Sequence, residues 1–189
     1  LCLDVNEQIV DEAIAKGCNI IVSHHPLLFR GLKRISGDDY VQRVVIKAIK
    51  HDICIVSMHT NMDNARGGVN FKVAEKLGLA NVGFFAEKPG ADAGSGVVGE
   101  LPEAVSAEDF VAAVKKAFGV ECAMCNELLK RPVKTVAICG GAGDFLLPQA
   151  IAMGADAFIT GEMHYHVYFG HEQKIQICVI GHYQSEQYT

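Results

Sequence analysis

Short apolar runs alternate with amphipathic helical patterns along this chain, and this alternation constrains the fold more than any other feature of the sequence. Apolar runs bounded by turn signals are typical of buried strands, and apolar residues repeating every three or four positions are typical of helices packed on them. The order predicts an α/β fold of βαβ units with a parallel sheet. The predicted strands are Leu1–Val5, Asn19–Ser23, Ile53–Met58, Val133–Cys139, Ala157–Thr160 and Ile175–Ile180. The predicted helices are Glu7–Lys16, Tyr40–Lys50, Gly68–Leu77, Ala107–Ala117 and Asp144–Met153.

A segment rich in Gly, Ala and Pro lies near the middle of the chain and indicates a loop or hinge. We therefore predict a first α/β lobe over residues 1–86, a linker over residues 87–98 and a second α/β lobe over residues 99–189.

The two predicted lobes resemble each other in sequence pattern. Residues 15–25 align without a gap with residues 152–162 as helix end, turn and strand. Residues 53–63 align with residues 176–186 as a strand followed by His-x-x-x-carboxylate. Chance similarity of two βαβ units is the alternative explanation. A true repeat predicts a pseudo-twofold axis that brings the carboxyl ends of both lobes' strands to a shared cleft, where open α/β sheets bind ligands.

Composition and charge exclude several classes of protein. A chain of 189 residues, 50% of them hydrophobic, can bury a sizeable core. A formal net charge of −5 argues against a dedicated nucleic-acid binder, which needs a basic surface to neutralise phosphates. No apolar stretch approaches the roughly 18 residues that span a bilayer, and no signal-peptide pattern opens the chain. We expect a cytoplasmic protein without membrane or nucleic-acid partners.

Histidines and carboxylates follow three of the predicted strands, and their side chains are the ligands that zinc, iron and manganese accept. Two adjacent imidazoles at a strand end suit two neighbouring ions. His182 and Glu186 share one face if the segment after their strand is helical. Such a site leaves metal positions open for water or substrate, which favours hydrolysis. The alternative is that these are ordinary surface or core polar residues. The predicted ligands of two divalent ions (Zn, Fe or Mn) are His24, His25, Asp63, His182 and Glu186.

Two further histidines are candidates for catalytic roles. His59 is either a metal ligand or a donor that orients Asp63. His166 is a candidate proton donor at the same cleft. For both, the competing interpretation is a surface or hydrogen-bonded histidine without a catalytic role.

Two other motifs are better explained by structure than by chemistry. Gly140–Gly143 lies between a predicted strand and a predicted helix, where backbone amides can bind an anion, but it lacks a dinucleotide or P-loop fingerprint. A tight turn is the favoured interpretation. Cys122-x-x-Cys125 has the form of a redox or zinc motif but lacks a second pair. The seven cysteines, an odd number, do not indicate a disulfide framework.

Five segments taken together resemble the Nif-three-like family, also called GTP cyclohydrolase I type 2 homologues. They occur in the family's order and span nearly the whole chain. The segments are Ser23–Phe29, His59–Asp63 with Gly67–Asn70, Gly140–Gly143, Thr160–His166 and Gly181–Glu186. The resemblance implies a two-lobed α/β protein that usually assembles as a toroidal homohexamer, with dinuclear metal sites facing the central cavity.

The resemblance also implies a ligand set and a reaction. It assigns the metal ions to the same five residues, with Glu186 bridging the two ions. The family's name implies GTP cyclohydrolase activity, in which metal-activated water attacks C8 of guanine and formate is released. His166 or His59 would then move protons. The expected substrate is a small molecule, possibly GTP.

The chain departs from the family pattern in two respects. Members usually extend beyond both ends of this sequence, so we expect part of each lobe to be missing. Glu162 stands where the family often has the Asp of a Thr-Gly-Asp motif, and His164-Tyr165-His166 replaces Lys-Tyr-His. Three functions remain open: a di-metal nucleotide hydrolase, a di-metal phosphoesterase, and a non-catalytic metal-binding or protein-interaction scaffold.

Overall fold

The computed structural model describes residues 1–188 and divides into two compact units. The first unit comprises Leu1–Met62 and the second begins at Asp63. The boundary therefore lies well before the predicted linker at residues 87–98. Among the described residues, no helix combines the length and apolar composition needed to cross a bilayer.

The first unit is a small α/β layer built on two parallel strands. Its elements are α1 (Glu7–Ala15), β1 (Ile20–Ser23), α2 (Tyr40–Lys50), β2 (Cys54–Ser57) and the short α3 (Thr60–Asp63), which ends at the boundary. β1 and β2 pair from Ile20–Cys54 to Ser23–Ser57. The apolar faces of both long helices form a core with the strands; its buried members are Val5, Val10, Ala13, Ile21, Val44, Ala48 and Ile53.

The predicted strand Leu1–Val5 is reduced to a single bridge between Cys2 and Ser23. Asn6 explains why the strand stops so early, because its side chain accepts a hydrogen bond from the backbone N–H of Ile9 and caps α1. The chain must leave the sheet edge before residue 6 to begin this helix. The other two strands predicted in this part of the sequence are confirmed.

The second unit contains a six-stranded mixed sheet with the order β3-β4-β6-β7-β8-β5. Its elements are β3 (Ala80–Glu87), β4 (Gly94–Val105), β5 (Met124–Cys125), β6 (Val133–Cys139), β7 (Ala157–Thr160), β8 (Gln176–Val179), α4 (Val69–Lys76), α5 (Ala107–Phe118), α6 (Leu147–Ala152) and α7 (His182–Glu186). Short 3-10 helices cover Asp144–Leu146 and Tyr165–Tyr168. In this sheet β6, β7 and β8 pair in parallel and the outer strands pair antiparallel, so the prediction of a parallel sheet is confirmed for the first unit and for the centre of the second.

The predicted linker is a β hairpin. β3 pairs antiparallel with β4, which pairs antiparallel with β6, and residues 88–93 form the turn. The glycines that suggest a hinge serve close packing instead. A Cβ at Gly94 would lie 2.8 Å from the Phe84 side chain, and one at Gly96 would overlap the Phe85 ring. Glycine therefore marks a tight contact within the sheet.

The two segments aligned as a repeat have the same local structure. In each unit a helix and turn lead into a strand (β1, β7), and a second strand (β2, β8) leads into a short helix. Each pair of strands is parallel. The described sheets nevertheless differ in size, with two strands against six. The pseudo-twofold axis and the shared cleft stay predictions.

Candidate metal centre

His24 and His25 leave the end of β1 with their rings close together. The ring centroids are 4.9 Å apart, and His24 is buried with 5% of its surface exposed. The backbone turns here because the Ser23 hydroxyl donates to the carbonyl of His25 at 2.8 Å. Alternation along a regular strand would point the two side chains to opposite faces, so this turn is what groups them.

His59 joins the same cluster from the end of β2. Its ring centroid lies 5.8 Å from that of His24 and 5.9 Å from that of His25. The backbone N–H of His59 donates to the His24 carbonyl at 2.8 Å, which extends the pairing of the two parallel strands. His59 has a φ of +40°, a conformation that costs a non-glycine residue free energy and that recurs at functional sites. The first unit therefore groups three imidazoles at one end of its sheet.

In the second unit, α7 places His182 and Glu186 one turn apart. His182 Nε2 lies 3.3 Å from Glu186 Oε2, and Glu186 is buried with 4% exposed. The segment after β8 is helical, so the prediction that His182 and Glu186 lie on one face of a helix is confirmed. Gly181 before it has a φ of +100°, which allows the chain to turn sharply from β8 into α7.

The Glu186 carboxylate lies against the loop after β6. A Cβ on Gly141 would fall 2.5 Å from Glu186 Oε1 and 3.4 Å from His182 Nε2, so only glycine fits there. Gly141 also has a φ of +61°. The Ser185 hydroxyl accepts from the Gly141 N–H at 2.9 Å and donates to the His182 carbonyl at 2.7 Å, which ties α7 to this loop.

The loop Gly140–Gly143 is a structural turn, which is the interpretation favoured from its sequence. Gly140 N–H donates to Asn70 Oδ1, Gly141 N–H to the Ser185 hydroxyl and Gly143 N–H to the Thr160 hydroxyl. Because protein side chains already accept from these three amides, the loop does not offer them to a phosphate.

Asp63 belongs to the same neighbourhood as Glu186. The Asn70 amide donates to the Asp63 carbonyl at 3.1 Å while its oxygen accepts from Gly140, so one side chain links α4 to the loop. Burial raises the pKa of the Cys139 thiol to about 12, and the charges of Asp63, Glu186 and Asp144 add to the rise. The charges of three carboxylates therefore act on one buried thiol of the second unit.

Two predicted ligands each contact a carboxylate that was not predicted from the sequence to belong to the site. Asp4 Oδ1 lies 2.9 Å from His25 Nδ1 in the first unit. Glu162 Oε1 lies 2.8 Å from His182 Nδ1 in the second. No sequence signal points to Asp4, whereas Glu162 stands in a segment already singled out by its resemblance.

His166 and its neighbours lie on the surface of the second unit. His166 belongs to the 3-10 helix Tyr165–Tyr168, and its ring centroid is 5.2 Å from that of Tyr165. His164 hydrogen-bonds through Nδ1 to Asp144, which raises the pKa of the His164 imidazole. A catalytic role for His166 stays a prediction.

Within the Cys122-x-x-Cys125 motif, strand pairing explains the position of Cys125. Cys125 lies in β5 directly opposite Cys178 of β8. The hydrogen bond between the two thiols raises the pKa of Cys178, and burial of Cys178 adds to the rise. The same hydrogen bond lowers the pKa of Cys125. All seven cysteines are free, so the expectation of no disulfide framework is confirmed.

The donor atoms in each unit fit a divalent transition metal. Imidazole nitrogens suit Zn, Fe and Mn, and carboxylate oxygens suit the same ions. In the second unit, the absence of a side chain at Gly141 lets the buried Glu186 carboxylate lie beside His182 Nε2. The residues present therefore fit the predicted group.

Comparison with known sequences gives consistent matches over the full chain. The family Duf34/NIF3 (NGG1p interacting factor 3) matches residues 1–189. A Clostridium perfringens protein named GTP cyclohydrolase 1 type 2 homolog is 36% identical over 189 residues, covering 98% of this chain and 72% of the relative. A Clostridium acetobutylicum protein of the same name is 33% identical, covering 97% of this chain and 70% of the relative.

Comparison with solved structures supports the mixed α/β fold. A hypothetical protein from Staphylococcus aureus superimposes with a TM-score of 0.89 at 28% identity, covering 97% of this chain and 73% of that one. A Bacillus cereus protein described as related to NIF3 superimposes with a TM-score of 0.86 at 26% identity, covering 97% and 78%.

Proposed function

Because this chain belongs to the Duf34/NIF3 family, we propose that it binds two divalent metal ions and acts as a hydrolase of the GTP cyclohydrolase type 2 kind. The proposed ligands are His24 and His25 of the first unit with Asp63, His182 and Glu186 of the second. One observation carries the proposal. Each unit, taken alone, gathers side chains of the types that bind metals at the carboxyl end of a parallel strand pair, where α/β sheets bind ligands.

In this proposal some residues bind the metal ions and others transfer protons. Imidazoles of His24, His25 and His182 would bind through ring nitrogens, and the carboxylates would balance the metal charge. Bound divalent ions supply a hydroxide nucleophile at neutral pH by lowering the pKa of bound water. A ring nitrogen of His59, within the His24–His25 cluster, is our first assignment for proton transfer, with His166 as the second.

The family's name, NGG1p interacting factor 3, supports a non-catalytic alternative. Under this alternative the metal site stabilises a scaffold, and the protein acts through partners. We also propose a homo-oligomer, a hexamer by the family resemblance. Light scattering on the purified protein tests the assembly, with an expected mass six times the chain's 20.4 kDa.

Metal binding is tested by elemental analysis of wild type beside the double variant His25→Ala, Glu186→Ala. We expect wild type to carry two divalent ions per chain and the variant to lose them while staying folded, because the change removes ligands and spares the apolar cores. His51→Ala with Glu103→Ala, both at exposed positions, is the matched control and should keep its metal. Equal metal content in all three proteins would remove the basis of the proposal.

The reaction is tested separately with metal-loaded wild type. Formate released from GTP supports the cyclohydrolase, and phosphate released from GTP or a phosphoester panel instead supports a phosphoesterase. Turnover of neither, at full metal occupancy, favours the scaffold.

A further inference from the structure

Both units hold one predicted ligand histidine by the same hydrogen bond. In the first, Asp4 Oδ1 lies 2.9 Å from His25 Nδ1. In the second, Glu162 Oε1 lies 2.8 Å from His182 Nδ1. A carboxylate at Nδ1 favours the tautomer that carries its proton there, which leaves the lone pair on Nε2. The same arrangement thus occurs at two places in the chain.

We propose that Asp4 and Glu162 are positioning residues that hold His25 and His182 with Nε2 ready to bind metal. The inference rests on the proposed metal site and adds to it the two residues that orient its imidazoles. A carboxylate at Nδ1 also makes Nε2 a stronger electron-pair donor to a metal, because the negative charge stabilises the polarised ring.

Each nitrogen of the His182 ring lies near a carboxylate oxygen. While Glu162 contacts Nδ1, Nε2 lies 3.3 Å from Glu186 Oε2, so the binding nitrogen is directed toward the other predicted ligand of α7. Rotation of the ring by half a turn would put a ring carbon in place of each nitrogen and lose both contacts. Glu162 therefore selects the ring orientation as well as the tautomer.

The backbone fixes Glu162 in place for this contact. Its N–H donates to the Gly141 carbonyl at 2.9 Å. Gly161 before it lies so close to α7 that a Cβ would be 2.6 Å from the Ser185 hydroxyl and 2.9 Å from His182 Cα. Only glycine permits β7 to end against α7, and this approach brings the next side chain within reach of His182.

Asp4 is fixed by backbone pairing at the start of the first unit. The N–H of His24 donates to the Cys2 carbonyl at 3.1 Å, and the N–H of His25 donates to the Leu3 carbonyl at 2.9 Å. These bonds align the residues before α1 with the end of β1. Asp4 follows directly, which places its carboxylate beside the His25 ring.

Neither the Asp4–His25 contact nor the Glu162–His182 contact is expected to stabilise the fold by much. The side chains of Asp4 and Glu162 are 67% and 58% exposed, and solvent-exposed pairs of this kind stabilise proteins only weakly. Loss of either carboxylate should therefore alter the imidazole and its metal while leaving the fold intact.

The first test uses metal-free protein and does not depend on metal binding. Long-range proton–nitrogen NMR of histidine-labelled protein at alkaline pH, where imidazoles are neutral, reports which ring nitrogen carries the proton. We expect His25 and His182 to carry it on Nδ1 in wild type, and to shift toward Nε2 in Asp4→Ala and Glu162→Ala respectively. An unchanged tautomer in these variants would overturn the proposal even if the protein binds metal.

The second test measures Zn²⁺ affinity by competition with a chelator. We expect Asp4→Ala and Glu162→Ala to weaken binding about 10–100-fold. Asp4→Asn and Glu162→Gln, which keep an acceptor oxygen, should lose less, whereas a direct ligand would lose as much as in the alanine variant. Asp11→Ala and Glu103→Ala, at other exposed acidic positions, should match wild type.

The outcomes separate this proposal from the one on which it rests. Wild type that binds no Zn²⁺ contradicts the proposed metal site and with it the positioning role. Wild type that binds Zn²⁺ while Asp4→Ala and Glu162→Ala bind it equally well contradicts the positioning role alone. Unfolding curves of the metal-free variants should overlay that of wild type, which excludes loss of fold as the cause.

Discussion

At the scale of the residue, the candidate site depends on the absence of one side chain. Gly141 has a left-handed backbone, and a Cβ there would meet the Glu186 carboxylate. Gly154 also has a left-handed backbone, with a φ of +79°, but its Cβ would meet nothing within 4 Å. The two glycines therefore separate the cost of the backbone conformation from the cost of the contact.

We expect Gly154→Ala to lower the free energy of unfolding by about 1–2 kcal/mol, the cost of a left-handed conformation for an L-residue. Gly141→Ala should lower it further and also weaken metal binding, because the new methyl group displaces the Glu186 carboxylate. Urea unfolding and chelator competition on both variants measure these effects. Identical losses in the two variants, with metal binding intact, would show that the contact has no role.

At the scale of the element, helix boundaries follow local chemistry. Ser106 caps α5 by accepting from the backbone N–H of Asp109 at 3.0 Å, and its hydroxyl donates to the Asp109 carboxylate at 2.7 Å. Gly119 ends the helix in the left-handed conformation. The two residues flank the helix predicted over Ala107–Ala117, and α5 begins at the predicted residue.

Ser106→Ala should destabilise the protein by about 1 kcal/mol, because it leaves a helical N–H without its side-chain acceptor. Ser106→Thr keeps a hydroxyl and should retain most of the stability. Thermal and urea unfolding of the two variants make the comparison. An alanine variant as stable as wild type would mean that the cap contributes nothing.

At the scale of the whole molecule, the chain builds a separate apolar core in each unit. Every buried member of the cluster around Val44 belongs to residues 1–62, and every buried member of the two clusters that contain Phe110 and Phe158 belongs to the second unit. Each unit can therefore be weakened by a substitution in its own core.

Phe158 has none of its surface exposed, so Phe158→Ala should cost about 3–5 kcal/mol through lost burial and the cavity left behind. Val44→Ala, at a fully buried position of the first unit, removes a smaller side chain and should cost less. Amide hydrogen exchange should show protection falling first in the unit that carries each substitution. Equal loss across both units from either variant would contradict separate cores.

The sequence by itself determined the local elements and the chemistry of the candidate site. Helix α2 and strand β7 lie at the predicted residues, because apolar periodicity and turn signals act over a few neighbouring positions. The donors at the strand ends could be predicted for the same reason. Only the tertiary structure decided that residues 80–105 form a hairpin of the sheet and that Asp4 and Glu162 contact His25 and His182. Such contacts join residues distant in the chain, and their partners depend on how the backbone packs.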